Sequence, residues 1–395
     1  MKINVGVMFG GESVEHEVSI ISALQAIEAI DQSKYNPIPI YISKKSDLFI
    51  SDKLFDISTY QDLDKLEKEC SQVYLYKEKQ KVFISPIKQR LFKNEKTSLD
   101  VIIPIMHGTN GEDGVLQGYL EMLNIPYSGS DVTASAIGQD KVIMKQVFES
   151  NNIPIVDWFW LYSHQFTDQK KYLKMANQLG YPLVIKPANL GSSIGISIVN
   201  SDEDFIKGIN AASEYDVKIV VEKAITNLRE VNCSVLGDIY NNQTSVIEEV
   251  GKADEILSFE DKYISNAKGK HGQKSQGMAS TKREVPAKLS KDLEDQVHKL
   301  SKDVVFALNS SGVCRIDFLL DSESEKLYVN EINSMPGSLA FYLWKEKGVD
   351  FSEIMDSLIS QAIDRQRRKE NMTFSYSSNI LSSYSANGSK GSKKI

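Results

Sequence analysis

Two apolar runs constrain this chain more than any other feature of it. INVGVMF (3–9) and VIIPIMH (101–107) are each short enough to be one buried strand. Each runs into a polar, glycine-rich turn and then into a segment whose apolar residues recur at helical spacing, ISALQAIEAI and GVLQGYLEML. Strand, glycine turn and helix together are the repeating piece of an α/β fold. YNPIPIYI (35–42) supplies another strand, and this first unit ends near NIPYSGS (124–130).

A second unit opens on DVTASAIGQDKVIMKQVFES (131–150), read as one helix, and continues through the strand-like IPIVDWFWL and the helix DQKKYLKMANQLG. Two strands, YPLVIKP and GISIV, then flank a glycine loop, and VKIVVEKAI is a buried strand with a polar end. A third unit holds the strands EVNCSVLGD and QTSVIEEV, the helix LSKDLEDQVHKLSKDVVFALN, and a hairpin, GVCRIDFLLDSESEKLYVNEINSMPG (312–337). From about Asn371 the chain turns serine- and lysine-rich without apolar pattern, which predicts disorder.

At 395 residues the chain is long for one core and fits two to three domains. With 41% hydrophobic and 25% charged residues it reads as a soluble globular protein, and its net charge of −7 gives no support to a nucleic-acid partner. No apolar stretch approaches the roughly 20 residues that a membrane span needs. Cys70, Cys233 and Cys314 fall in no metal-ligand spacing and suit a reducing compartment, so a cytoplasmic location is expected.

The hairpin carries the most chemistry. With DSESEK as its loop and a turn centred on Ser324, Asp317 stands opposite Glu331 and Arg315 opposite Asn333. Alternation with period two then puts all four on one face, and Ile316, Phe318 and Ile332 on the other. Two crowded carboxylates need a cation or a shared proton. The face can be a Mg²⁺ site, since that ion takes one or two carboxylates with substrate phosphates, or a hairpin in which Arg315 neutralises both acids. In PLVIKPANLGSSIGISIV, Lys186 ends a strand before a glycine loop, which can hold a phosphate or can be an ordinary turn beside an incidental lysine. In GGESVEHEVSI (10–20), Glu12, Glu15 and Glu17 complement a helix dipole by about 0.3–1 kcal/mol each. In HGTNGEDGVLQG (107–118), Glu112 and Asp113 read as turn and helix-cap residues.

Taken in order, GGESVEHEVSI, HGTNGEDGVLQG, VIKPANLGSSIG, FEDKY, CRIDF and NEINSMPG resemble the D-alanine:D-alanine ligases of the ATP-grasp superfamily, over about residues 1 to 365. The resemblance implies a three-domain fold of α/β and α+β units. An N-terminal open α/β substrate domain (1–129) would precede a central ATP-grasp subdomain (130–222) and a C-terminal one with lid and metal site (223–368), followed by a disordered tail (369–395). It implies ATP as co-substrate and Mg²⁺ or Mn²⁺ held by Asp317, Glu331 and Asn333. Lys141 and Lys186 would bind phosphate, with Ser193 beside them, and Glu222, Lys223 and Glu230 would lie near adenine and ribose. Arg315 would face the transferred phosphate. Glu15, Ser192 and Tyr263 would form a hydrogen-bonded trio over the first substrate, and His107, Lys262, Gly337 and Leu343 would complete the substrate contacts. A homodimer is a further expectation.

The implied reaction is the ATP-driven joining of two D-alanine molecules through an acyl phosphate, for cell-wall precursor synthesis. A ligase with another acceptor (D-serine, D-lactate or another amino acid) and a nucleotide-binding protein without turnover are the competing readings. The chain departs from the family pattern twice. SLAFYLW places Tyr342, where the family has serine, before Leu343, and the segment after FEDKY is long (264–285). The lysines of that segment read as those of a solvated loop.

Overall fold

The computed structural model describes residues 2–88, 96–191, 194–251 and 283–375. Residues 264–282 of the long segment after FEDKY and the residues from 376 onward lie outside it, and so do Ser192, Ser193, Lys262 and Tyr263.

The first unit holds β1 (Ile3–Gly10), α1 (His16–Ala29), β2 (Tyr35–Ile42), β3 (Leu48–Ile50), α2 (Leu63–Glu69), β4 (Ser71–Glu78), β5 (Lys81–Pro86), β6 (Thr97–Leu99), β7 (Val101–Ile105) and α3 (Val115–Leu123). Its seven-stranded sheet runs β6-β5-β4-β3-β2-β1-β7. β2, β1 and β7 are parallel, as strand–turn–helix units require, and β3 to β6 extend the sheet as antiparallel neighbours. All five residues of β7 are buried, the pattern of a strand covered on both faces.

The stretch 131–150 is two helices, α4 (Val132–Gln139) and α5 (Lys141–Ser150), where the sequence predicts one. Asp140 breaks them, because its carboxylate accepts from the backbone N–H of Val142 and Ile143 and caps α5. Lys141 thereby becomes the first residue of a helix. β8 (Trp158–Tyr162), α6 (Gln169–Leu179), β9 (Leu183–Pro187), β10 (Ser197–Val199), α7 (Asp202–Ser213) and β11 (Lys218–Lys223) follow, the strands forming a four-stranded sheet in the order β10-β9-β11-β8.

The third unit is a five-stranded antiparallel sheet ordered β14-β13-β12-β15-β16. Its members are β12 (Leu228–Gly237), β13 (Asn242–Val250), β14 (Arg283–Glu284), β15 (Gly312–Asp321) and β16 (Leu327–Asn333), backed by α8 (Lys291–Leu308). The chain then makes α9 (Phe341–Lys345) and α10 (Phe351–Glu370). α10 packs Ile354, Met355, Leu358 and Ile359 into the same core as Val5, Val7 and Ile103, so the end of the chain closes back on the first sheet. That contact brings the loop after β16 against the loop after β7. No helix among the described residues is long and apolar enough to cross a membrane.

Candidate active site

The hairpin β15–β16 builds the floor. Arg315 pairs with Asn333 and Asp317 with Glu331, as predicted, but by a different route. The turn is centred nearer its start, so Phe318 meets Val329 where a turn on Ser324 would give it Asn330. A β-bulge at Asn330 then inserts one residue and restores the pairing at the acids. The bulge also turns Asn330 onto the polar face, where its Oδ1 accepts from Lys186 at 3.2 Å.

On this face Arg315 grips Asp317 with two parallel bonds, Nε to Oδ1 at 2.6 Å and Nη2 to Oδ2 at 2.7 Å. Asn333 donates its Nδ2 to Asp317 Oδ2 at 2.9 Å, which commits the amide nitrogen and leaves the harder oxygen as its other polar atom. Lys141 Nζ lies 3.5 Å from Glu331 and donates to the Leu190 carbonyl at 2.8 Å, tying α5 to the glycine loop. Burial pushes the Asp317 pKa up, more than Arg315 pulls it down, while Arg315 stays protonated well beyond its usual range. The row continues across the sheet: Asp317 faces Asn232 on β12, and Asn232 faces Glu248 on β13.

Above the floor sits a buried ionic cluster that the sequence reading found only in part. Glu222, at the end of β11, has Lys145 Nζ 2.8 Å from one oxygen and Lys186 Nζ 2.7 Å from the other. Burial raises the Glu222 pKa, but the two lysines overcome it and bring the value down to about 2. Burial lowers the pKa of both lysines; Glu222, Glu331 and Glu230 reverse this for Lys186, whereas Lys145 stays lowered. Lys145 was legible as a lysine on the apolar stripe of α5, three residues from both Val142 and Phe148, which are buried. Lys223 points elsewhere, donating to the carbonyls of Gly180 and Tyr181 at 2.7 and 3.0 Å. Glu230 is exposed on β12, within electrostatic reach of Lys186.

The loop HGTNGEDGVLQG forms the wall, and its two acids part company. Asp113 shapes the turn, accepting from Asn110 N at 2.8 Å and Val115 N at 3.1 Å. Glu112 does more than the turn formation expected of it. It accepts from Gly108 N within its loop and from Met335 N of the loop after β16, both at 2.9 Å, and Ser334 donates to it at 3.3 Å. Burial first, and Glu15 second, raise its pKa to about 7. His107 bridges the same two loops. Its Nδ1 donates to the Met335 carbonyl at 2.8 Å, which fixes the tautomer, and its Nε2 accepts from Ser22 at 3.0 Å. Burial lowers its pKa, so the ring is neutral. Glu15 ends the turn before α1 without capping it by side chain. Its carboxylate stands 3.0 Å from the place a Cβ on Gly108 would take and 3.7 Å from that place on Gly191, next to Ser192.

After Gly337 the chain turns left-handed at Ser338, Leu339 and Ala340, with φ of 52°, 52° and 50°. Each non-glycine residue in that region costs about 1–2 kcal/mol. Such strain persists where packing over-determines it. Here Leu339 and Ala340 are fully buried, Ser338 N donates to Ser22 at 2.9 Å, and Leu343 and Trp344 are buried in α9. Glu15, His107, Lys141, Arg315, Glu331, Asn333 and Gly337 all line one cavity of about 90 Å³. A larger cavity, about 260 Å³, lies between α10 and the β12–β13 turn and contains none of them.

Acids on one face of an antiparallel sheet thus stand against buried lysines of α5 and β9, in a fold that is that of the ATP-grasp ligases, which couple ATP to joining a carboxylate and an amine. Two family descriptions match the chain, "D-ala D-ala ligase N-terminus" over residues 4–130 and "D-ala D-ala ligase C-terminus" over 147–360. A D-alanine–D-alanine ligase of Thermosipho melanesiensis is 38% identical over 380 residues, 96% of this chain and 98% of that one. Among solved structures, the D-alanine–D-alanine ligase of Coxiella burnetii aligns with a TM-score of 0.78 at 28% identity, covering 93% of this chain and 96% of its own. The VanG D-Ala:D-Ser ligase of Enterococcus faecalis aligns at 0.75 and 27% identity, covering 92% and 100%. The chain belongs to the D-alanine–D-alanine ligase family. Enzymes of this family use ATP and Mg²⁺.

Proposed function

We propose that this protein joins two D-alanine molecules into D-alanyl-D-alanine at the cavity between the β15–β16 floor and the His107 loop, for cell-wall precursor synthesis. The observation that carries the reading is that Arg315, Asp317, Glu331 and Asn333 share one face with Lys141 and Lys186 directed onto it.

A carboxylate is a poor electrophile, so the first D-alanine must become an acyl phosphate before an amine can attack it. Phosphoryl transfer asks a protein mainly for position and charge neutralisation. Lys141, at the start of α5, and Lys186, at the end of β9, supply positive charge on the phosphate side, and Arg315 supplies it at the floor. Asp317, Glu331 and the amide oxygen of Asn333 would hold Mg²⁺. Among the described residues no group of three or more His, Cys, Asp or Glu could hold a metal. Two carboxylates and an amide suit Mg²⁺, which completes its shell with phosphate and water. When bound, that ion supplies charge neutralisation at the transferring phosphate. Glu222 and its partner Lys145 lie on the adenine side, with Glu230 toward the ribose. Glu15 and His107 border the first D-alanine, together with Ser192, Lys262 and Tyr263 on the resemblance, and Gly337 and Leu343 border the second.

The test is product analysis by mass with ATP, Mg²⁺, D-alanine, D-serine and D-lactate offered together. D-alanyl-D-alanine as the main product is expected; a dominant D-lactate ester, or a D-serine product that displaces the dipeptide, would overturn the reading. We place the protein in the cytoplasm, where its three buried free thiols and its need for ATP belong. A homodimer finds support in the outer face of α3, where Val115, Tyr119 and Met122 stand exposed at i, i+4 and i+7. Sedimentation at micromolar concentration tests it, and a monomer there contradicts it.

A further inference from the structure

The two places where this chain departs from its family meet in one cluster. Tyr342 takes the position of the family's serine, and Arg283 is the first described residue of the long segment that follows FEDKY. Glu248 of β13 joins them. Its Oε1 accepts from the Tyr342 hydroxyl at 2.8 Å and from Asn232 Nδ2 at 3.1 Å, and its Oε2 accepts from Arg283 Nη1 at 3.0 Å. Arg283 Nη1 also donates to the Tyr342 oxygen at 2.5 Å, and its guanidinium carbon lies 5.2 Å from the ring centre. The Glu248 side chain is wholly buried.

Two features connect this cluster to the chemistry. Glu248 is in register with Asn232 and, through it, with Asp317, so the cluster continues the polar row of the floor. Tyr342 also lies two residues past the left-handed residues 338–340, which hold an unfavourable backbone only while their surroundings do not yield. Ser22 secures one end of that loop through Ser338, and Tyr342 is the polar side chain that secures the other. A hydroxyl already shared between a carboxylate and a guanidinium is poorly placed to serve a substrate carboxylate as well.

We propose that Tyr342, Glu248 and Arg283 form a positioning unit for the acceptor amino acid, holding the loop 337–343 in the shape that receives it, in place of the direct serine contact of the family. The inference rests on the ligase reading above. The unit acts through the loop, so its loss weakens acceptor binding while leaving nucleotide and donor binding in place.

The experiment is steady-state dipeptide formation against D-alanine, resolved into donor and acceptor components, with ATP varied separately and thermal melting recorded for each variant. Tyr342→Phe and Arg283→Met should each raise the acceptor KM about tenfold, with the donor KM and the ATP KM within twofold of the parent. Arg283→Lys, which keeps a donor for Glu248, should recover part of the loss. Tyr342→Ser should lose at least as much as Tyr342→Phe. Acceptor KM unchanged in Tyr342→Phe and Arg283→Met, or donor, acceptor and ATP constants moving together with the melting temperature, overturns the proposal. So does parental acceptor affinity in Tyr342→Ser, which would mean that a hydroxyl at 342 touches the acceptor directly. A parent protein that forms no dipeptide contradicts the ligase reading itself, and this inference with it.

Discussion

Glu222→Gln removes the one carboxylate that holds Lys145 and Lys186 together. Each ammonium lies 2.7–2.8 Å from it, and at an effective dielectric constant near 20 each attraction is worth about 6 kcal/mol before desolvation. Burying the carboxylate consumes several kcal/mol of that, and breaking a buried pair by removing one partner usually costs about 3–5 kcal/mol. A separate route reaches a similar figure. A pKa held near 2, against 4.5 for an ordinary glutamate, corresponds to about 3 kcal/mol. The sign follows from the depression: the stabilisation is present above pH 4.5 and is lost as pH falls toward 2. Urea unfolding of parent and variant between pH 2 and 8 reads both. We expect the variant to be about 3–5 kcal/mol less stable at pH 7, with the two curves converging at the acid end. A variant within about 1 kcal/mol of the parent at pH 7, or two curves that stay parallel, would refute the reasoning.

The other expectations follow from the floor and the wall. Glu331→Gln should lose about 10²–10³ in turnover, the usual effect of removing one well-placed charge-stabilising group, while thermal melting stays within a few degrees of the parent; near-normal ligation would contradict the assignment of the hairpin face. Glu112 has its pKa raised to about 7, so the folded protein binds its proton more tightly than the unfolded chain and stability should fall by about 3 kcal/mol between pH 4.5 and 7 and then level. Glu112→Gln should flatten that limb, and an unchanged slope in calorimetry across this range would argue against it. Gly108→Ala places a methyl 2.7 Å from Ser13 Oγ and 3.0 Å from Glu15 at a φ of +72°, so it should cost about 1–3 kcal/mol and raise the donor KM; an unaltered donor KM would separate Glu15 from the first substrate.

Much of this site could be read before the fold was known, because its residues stand in short, local patterns. Asp317 and Glu331 lie on one hairpin, and alternation decides their face. Yet the register came from two deviations that cancel, an off-centre turn and the bulge at Asn330, and neither has a signature in a run such as LYVNEIN. Lys145 was visible only as a charge on an apolar stripe, since its partner Glu222 is 77 residues away. The break at Asp140 was hidden because an aspartate inside a helical pattern signals a new cap only when the next helix changes direction. Glu112 was read as a turn residue because its partners, Ser334 and Met335, approach it only once α10 packs against the first sheet. The strands β4 and β5 went unread, although QVYLYKEKQKVFIS alternates as a hairpin should.

The central claim is that this face activates a carboxylate by phosphoryl transfer before an amine attacks it. D-alanine labelled with ¹⁸O in its carboxylate tests that claim directly. With ATP and Mg²⁺ present, the account predicts one labelled oxygen in the inorganic phosphate for each dipeptide formed. Dipeptide accompanied by unlabelled phosphate, or label recovered in AMP, would contradict it.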